Sequence, residues 1–337
     1  MALLLLALAV LATATTINIQ SPMKTAQAAC HWHGLQGLRH MVAFGDSFTS
    51  TGFEFRGPQP TQDNPLGNPP YPGRTFANGP NWIDYLTVQY NQSLITTLNF
   101  AVGGATVDPV IPRDIPNVKE QVFDQFLPFY GSSPHFFPWM GHDTLFAFFI
   151  GINDIASTFP RDTGPLFRYI FKTYTASADA IYRAGGRNFL FLNVPPIHRT
   201  PWNLAKYGET GQHRGKYVAT IYHWNQLLIK LVNQFRAVHS DVTATLFNTY
   251  NFYDNLLDDP NRNPLTAPYK DTKNWCPAYA LLGYNSPTDS YVKDESCEYA
   301  ADEYFWLNCC HPTFRMHEAT AEAIAQQLGR LHGCSSQ

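Results

Sequence analysis

The chain has 337 residues, 45% of them apolar and 15% charged, with a formal net charge of −3. This composition supports a large buried core and excludes a disordered chain, and with no basic stripe it argues against nucleic acid as a partner. Aromatic content is high, with 24 Phe, 18 Tyr and 7 Trp: many must be core, while some can line a sugar- or acyl-binding cleft.

The first segment, "MALLLLALAVLATATTINIQ", reads as a secretory leader, with an apolar run from Ala2 to Leu11 and small-residue cleavage sites at 12–14 or 26–28. The run is too short to span a bilayer comfortably, and the basic start usual in such leaders is missing. The expected organisation is a leader within 1–28, then one domain over 29–337, exported and monomeric. Six cysteines, Cys30, Cys276, Cys297, Cys309, Cys310 and Cys334, fit an oxidising compartment, as does the glycosylation sequon at Asn91. Four of them fall between 276 and 310, where bridges would staple a region of little regular pattern.

Residues 38–44 form the first expected strand, followed over 57–80 by a stretch rich in Pro, Gly and Asn that is too long to be a plain connection. Trp82, Leu86 and Tyr90 mark a helix, 94–101 a second strand and 116–130 a second helix. Residues 144–150 are a third strand, apolar throughout and so covered on both faces. A long amphipathic helix follows on Phe167, Ile170, Phe171, Tyr174, Ala178 and Ile181. A fourth strand lies at 188–193, a helix on Ile221, Trp224, Leu228, Leu231 and Phe235, a fifth strand at 242–247, and a last helix on Ala321, Ile324, Leu328 and Leu331. Such alternation predicts an α/β fold with a parallel sheet, helices on both faces and a site at the carboxyl ends of the strands.

Four segments fall at those ends or before the last helix: "FGDSFTSTG" with Ser47, "NFAVGGATV" with Gly103 and Gly104, "GIND" with Asn153 and Asp154, and "HPT" with His311. Each alone is unremarkable as a turn, a tight packing or a cap. Together they suit acyl transfer. A serine hydroxyl needs a base within hydrogen-bond reach, and the oxyanion needs fixed donors, here the N–H groups of Ser47 and Gly104 and the amide of Asn153.

These segments resemble the four sequence blocks of the SGNH hydrolases, also called GDSL esterases, over roughly residues 40–333. "NPLGNPPYPGRTFANGPNWIDYL", "NVPPIHRTP" and "HPTFRMHEATAEAIAQQL" resemble the fungal acetylesterases of carbohydrate esterase family 16. The resemblance implies a three-layer αβα sandwich with a five-stranded parallel sheet, of flavodoxin-like type, and an ester hydrolase that uses no metal or cofactor. It implies Ser47 as nucleophile, His311 as base, and Gly104 and Asn153 in the oxyanion hole. It implies as substrate an acetylated cell-wall oligosaccharide. A lipase or phospholipase of the same superfamily and a catalytically silent carbohydrate-binding protein are the alternatives.

One position departs from the pattern. Three residues before His311, where the family keeps Asp, stands Asn308. Asparagine can accept an Nδ1–H bond but adds no charge, and a flipped amide would favour the wrong tautomer. In serine proteases the Asp-to-Asn change lowers kcat by roughly 10⁴. The expectation is a working Ser47–His311 pair oriented by the Asn308 amide oxygen or a backbone carbonyl, with Asp302 and Asp294 as the alternative acids. Cys309 and Cys310 are expected to tie the histidine loop to Cys334 or to Cys276 and Cys297. Asp46 is expected to brace its turn, His198 to serve as framework, and "CHWHG" at 30–34 to be incidental rather than a metal site. Tyr71, Trp275, Tyr291 and Trp306 fall in expected loops, where each is equally a candidate sugar-stacking ring or a packing residue.

Overall fold

A computed structural model describes residues 31–159, 161, 163–280, 291–331 and 333. The expected leader, with Cys30 and Cys334, lies outside the described residues. Five strands, β1 (His40–Gly45), β2 (Thr96–Asn99), β3 (Thr144–Phe149), β4 (Asn188–Leu192) and β5 (Thr243–Phe247), pair in parallel in the order β2-β1-β3-β4-β5.

The period-two pattern of these strands divides the core. Val42, Phe44, Phe146, Phe148, Phe189 and Phe191 face one side, while Met41, Ala43, Leu145, Ala147, Leu190 and Leu192 face the other. The first face carries a row of packed rings, with Phe44, Phe148 and Phe191 stacked at 5.0 and 5.5 Å centroid spacings. Much of the unusual phenylalanine content is spent there.

On the second face lie α1 (Trp82–Val88) and further along the chain Thr249–Asp258 and Phe314–Gly329. On the first lie the helical stretch 118–130, called α2, then α3 (Ile152–Thr158), α4 (Gly164–Arg183) and, after the short α5 (Pro201–Tyr207), α6 (Gln212–Val238). Thr249–Asp258 is α7 and Phe314–Gly329 is α8. The result is a three-layer αβα sandwich. Among the described residues no helix is long and apolar enough to cross a membrane.

Three expectations need correction. The second strand ends at Asn99 rather than 101, because the Asn99 side chain accepts from Ala101 N at 3.2 Å and turns the chain. The stretch 116–130 is not one regular helix. Gln121–Phe126 winds as a π turn between Val118–Glu120 and Leu127–Tyr130, just where Pro128 removes a backbone donor. Three helices, α3, α5 and α7, lie outside the expected set. Proline at the first position of α5 with Thr200 as N-cap was the legible signal there.

The π turn has a visible task. Because β2 stops at Asn99, the outer edge of β1 is uncovered at Gly45. Gln121 fills in for the missing strand: its Oε1 accepts from Gly45 N at 2.9 Å and its Nε2 donates to Gly45 O at 2.9 Å. Gly45 O also accepts from Val102 N, so loss of Gln121 orphans chiefly the Gly45 N–H. Gln121→Leu is expected to destabilise the protein by about 1–3 kcal/mol, read as a lower urea midpoint at unchanged m-value.

Candidate active site

The chain reverses its path across the sheet at β1, leaving toward β2 and returning to β3 on the opposite side. Open parallel sheets leave a crevice at such a switch point. Ser47 sits there, two residues past Gly45. A Cβ on Gly45 would lie 2.4 Å from Phe149 O, so only glycine lets β1 run this close to the end of β3. Asp46 braces the turn: its Oδ1 accepts from Phe48 N at 3.0 Å, and its carbonyl accepts from Thr49 N and Ser50 N. Asp46 is fully buried, and burial pushes its carboxyl up to about 7.

His311 arrives from a tight loop ahead of α8. Leu307 N donates to His311 O at 2.9 Å and Thr313 N to Phe305 O at 2.9 Å, pinning residues 307–313 as a closed turn. Inside it the Asn308 Oδ1 accepts three N–H groups: Cys310 N at 3.0 Å, His311 N at 3.0 Å and His311 Nδ1 at 3.1 Å. The two backbone donors settle the amide orientation, since a flipped Asn308 would set its NH₂ against both. Nδ1 must then carry the ring proton. His311 packs flat on Phe76 at 5.0 Å and tilted against Phe48 at 5.6 Å, and desolvation lowers its pKa to about 4. The neutral ring leaves Nε2 bare to accept the Ser47 Oγ–H at 2.8 Å.

Gly104 holds φ at +83°, a conformation other residues rarely adopt, and it lines the same cavity as Ser47. Asn153 lines it too. Its Nδ2 donates to Ala105 O at 3.0 Å and makes a weaker contact with Asp46 Oδ2 at 3.4 Å, which an incoming acceptor can replace. The cavity encloses about 470 Å³ and is walled by Phe48, Phe76, Ile152, Ile197 and Tyr217, with Trp202 at its rim. Thus the structure brings Ser47, Gly104, Asn153 and His311 to one place with Asn308 behind the ring. A hydroxyl bonded to a neutral imidazole beside fixed donors is equipped for nucleophilic attack on an ester carbonyl.

Other candidates fall elsewhere. Asp302 pairs with Arg315 at 2.6 Å and Asp294 accepts from Ser296, so neither reaches the His311 ring. Trp306 is 3% exposed and donates to Thr272 O at 2.9 Å, a packing role rather than a stacking face. Tyr71, Trp275 and Tyr291 do not line this cavity. Trp202 does, 44% exposed, with Lys206 Nζ 4.3 Å from its ring. Its exposure could not be read without the α5 assignment. His198 is buried, with its carbonyl accepting from Arg214. His31 and His33 join no cluster of three metal-ligating side chains among the described residues. Cys276 and Cys297 pair with each other, which corrects the expected link from them to the histidine loop, and Cys309 and Cys310 are free thiols.

Residues 41–324 match the profile of the GDSL-like lipase/acylhydrolase family. An acetylesterase from Thermothelomyces thermophilus is 31% identical over 294 residues, covering 85% of this chain and 87% of its own. A phosphatidylcholine-sterol acyltransferase from Aeromonas hydrophila is 28% identical over 70% of this chain and 64% of its own. Among solved structures, an acetylxylan esterase from Geobacillus stearothermophilus superposes with a TM-score of 0.43 at 11% identity, covering 91% of this chain and all of that one. The chain belongs to the GDSL-like lipase/acylhydrolase family and is a carboxylic ester hydrolase.

Proposed function

We propose that the protein is an exported esterase that removes acetyl groups from cell-wall carbohydrates through a Ser47–His311 pair. Ser47 Oγ attacks the ester carbonyl while His311 Nε2 takes its proton. The N–H groups of Ser47 and Gly104 and the Asn153 amide receive the oxyanion, and His311 returns the proton to the leaving sugar hydroxyl. A water, deprotonated in turn by His311, then releases acetate. The observation that carries this reading is the chain of contacts from Ser47 through His311 to an Asn308 oxygen that cannot flip. Asn308 is a positioning residue that holds the tautomer without charge.

Identity with the fungal acetylesterase supports the acyl group. The cavity volume far exceeds an acetyl group, and Trp202 at its rim offers an exposed ring to the apolar face of a pyranose. The mature chain is read as one domain over 29–337, monomeric, following a leader removed within 1–28, with Asn91 as glycan acceptor. A lipase of the same superfamily is the second reading, favoured by the apolar wall of Phe48, Phe76, Ile152, Ala156 and Ile197. It requires p-nitrophenyl ester hydrolysis to rise with acyl length, whereas the acetylesterase reading requires it to fall steeply beyond acetate.

Ser47→Ala is expected to lower kcat on p-nitrophenyl acetate by at least about 10³ with the fold retained by circular dichroism. Equal rates for the two proteins would remove the serine mechanism.

The pH profile carries a second outcome. His311 must be neutral to act, and burial with no neighbouring carboxylate keeps it so down to about 4. The acid limb of kcat/KM is therefore expected near pH 4. In Asn308→Asp the added negative charge favours the imidazolium, so the limb should move upward while the plateau rises about tenfold or more. An unmoved limb would mean that the titration seen in kcat/KM is not that of His311.

Trp202→Ala is expected to raise KM for acetylated xylo-oligosaccharides by roughly 10-fold while leaving p-nitrophenyl acetate kinetics within about twofold. A parallel loss on both substrates would place Trp202 in the frame of the site instead.

A further inference from the structure

Two thiols, on the residues immediately before His311, are left unused by the hydrolytic mechanism. Cys309 Sγ and Cys310 Sγ are 3.0 Å apart on adjacent residues. Both are part-exposed, and Cys310 lines the catalytic cavity. The peptide that joins them is gripped on both sides. Its carbonyl, Cys309 O, accepts from Trp202 N at 3.0 Å, and its amide, Cys310 N, donates to Asn308 Oδ1 at 3.0 Å. One peptide unit therefore connects the cavity rim to the group that orients His311.

We propose that Cys309 and Cys310 are a modification site, closing into an eight-membered disulfide ring that locks this peptide and with it the Asn308 clamp and the foot of Trp202. A bond of about 2.05 Å requires the sulfurs to draw together by roughly 1 Å, and because adjacent Cα atoms lie about 3.8 Å apart, inside the usual disulfide span of roughly 4.4–6.8 Å, the ring closes with strain in the loop. The oxidant is a small-molecule disulfide such as oxidised glutathione. The Cys309 thiolate attacks it, expelling one glutathione thiolate and leaving a mixed disulfide. The Cys310 thiolate then attacks the Cys309 sulfur and expels the second glutathione. Two cysteine sulfurs are oxidised, one glutathione disulfide is reduced to two thiols, and the two protein protons end on them. Burial pushes the Cys310 thiol up to about 12, so its thiolate is scarce and the second step relies on the closeness of the two sulfurs.

Locking acts through the hydrolytic reading, whereas ring formation does not depend on it, and the test separates the two. The full-length protein is incubated with oxidised glutathione, alkylated with iodoacetamide without reductant, digested and weighed. The expected result is an unalkylated peptide carrying both cysteines, about 2 Da lighter than its dithiol form. Two alkylated cysteines, or a persistent glutathione adduct, would overturn the proposal. Reduction of the oxidised protein is then expected to lower kcat on p-nitrophenyl acetate by roughly threefold to tenfold, in the lower part of the range of coupling within one hydrogen-bond network. The Cys309→Ser/Cys310→Ser protein, which keeps the Cys276–Cys297 bridge, should not respond to reductant. An equal loss in that variant would assign the effect to a bridge elsewhere in the chain and overturn the locking role. A ring that forms without changing kcat would overturn the locking role alone.

Discussion

Everything at this site depends on one oxygen. Asn308 Oδ1 gathers two backbone N–H groups and the His311 Nδ1 proton, and those contacts hold the tautomer that leaves Nε2 open toward Ser47. In a Ser-His-Asp site the third group both orients the imidazole and stabilises its charged form. Here the orienting half survives on geometry alone. The electrostatic half is gone, and the depressed basicity of His311 follows from a ring enclosed by Phe48 and Phe76 with no anion beside it.

The surrounding scaffold is built to keep that geometry. The reversal of strand order at β1 opens the crevice, Gly45 brings β1 against β3, and Gln121 completes the ladder that β2 abandons. The long stretch over 57–80, which forms no helix or strand, delivers Phe76 onto the His311 ring. Its shape comes from side-chain amides bonding to backbone, such as Asn68 Nδ2 on Glu54 O and Pro58 O. The buried carboxyl of Asp46 serves this same framework, holding the turn that carries Ser47.

What could be read from the residues was whatever is periodic or local. The five strands show as largely apolar runs, and the three strand-end segments with the "HPT" ahead of the last helix point to Ser47, Gly104, Asn153 and His311. Contacts between distant segments were not legible. Gln121 sits in an ordinary helical pattern, and nothing local says that its amide faces Gly45, 76 residues away. Trp202 was overlooked because its helix was. Trp306 was legible as either a stacking or a packing ring, and only its burial and its bond to Thr272 O decide for packing. The orientation of the Asn308 amide was legible only in part, since spacing brings it near His311 but the two backbone donors appear only once the turn is folded.

The Ser47–His311 contact joins residues 264 positions apart. On the ribosome the proposed nucleophile, its turn and both oxyanion glycine and asparagine emerge well before the loop that carries the histidine, and α8 must dock beside α1 before that loop is held. Until then the serine is an ordinary alcohol. Under the proposed mechanism, hydrolytic competence therefore waits on the docking of this C-terminal loop.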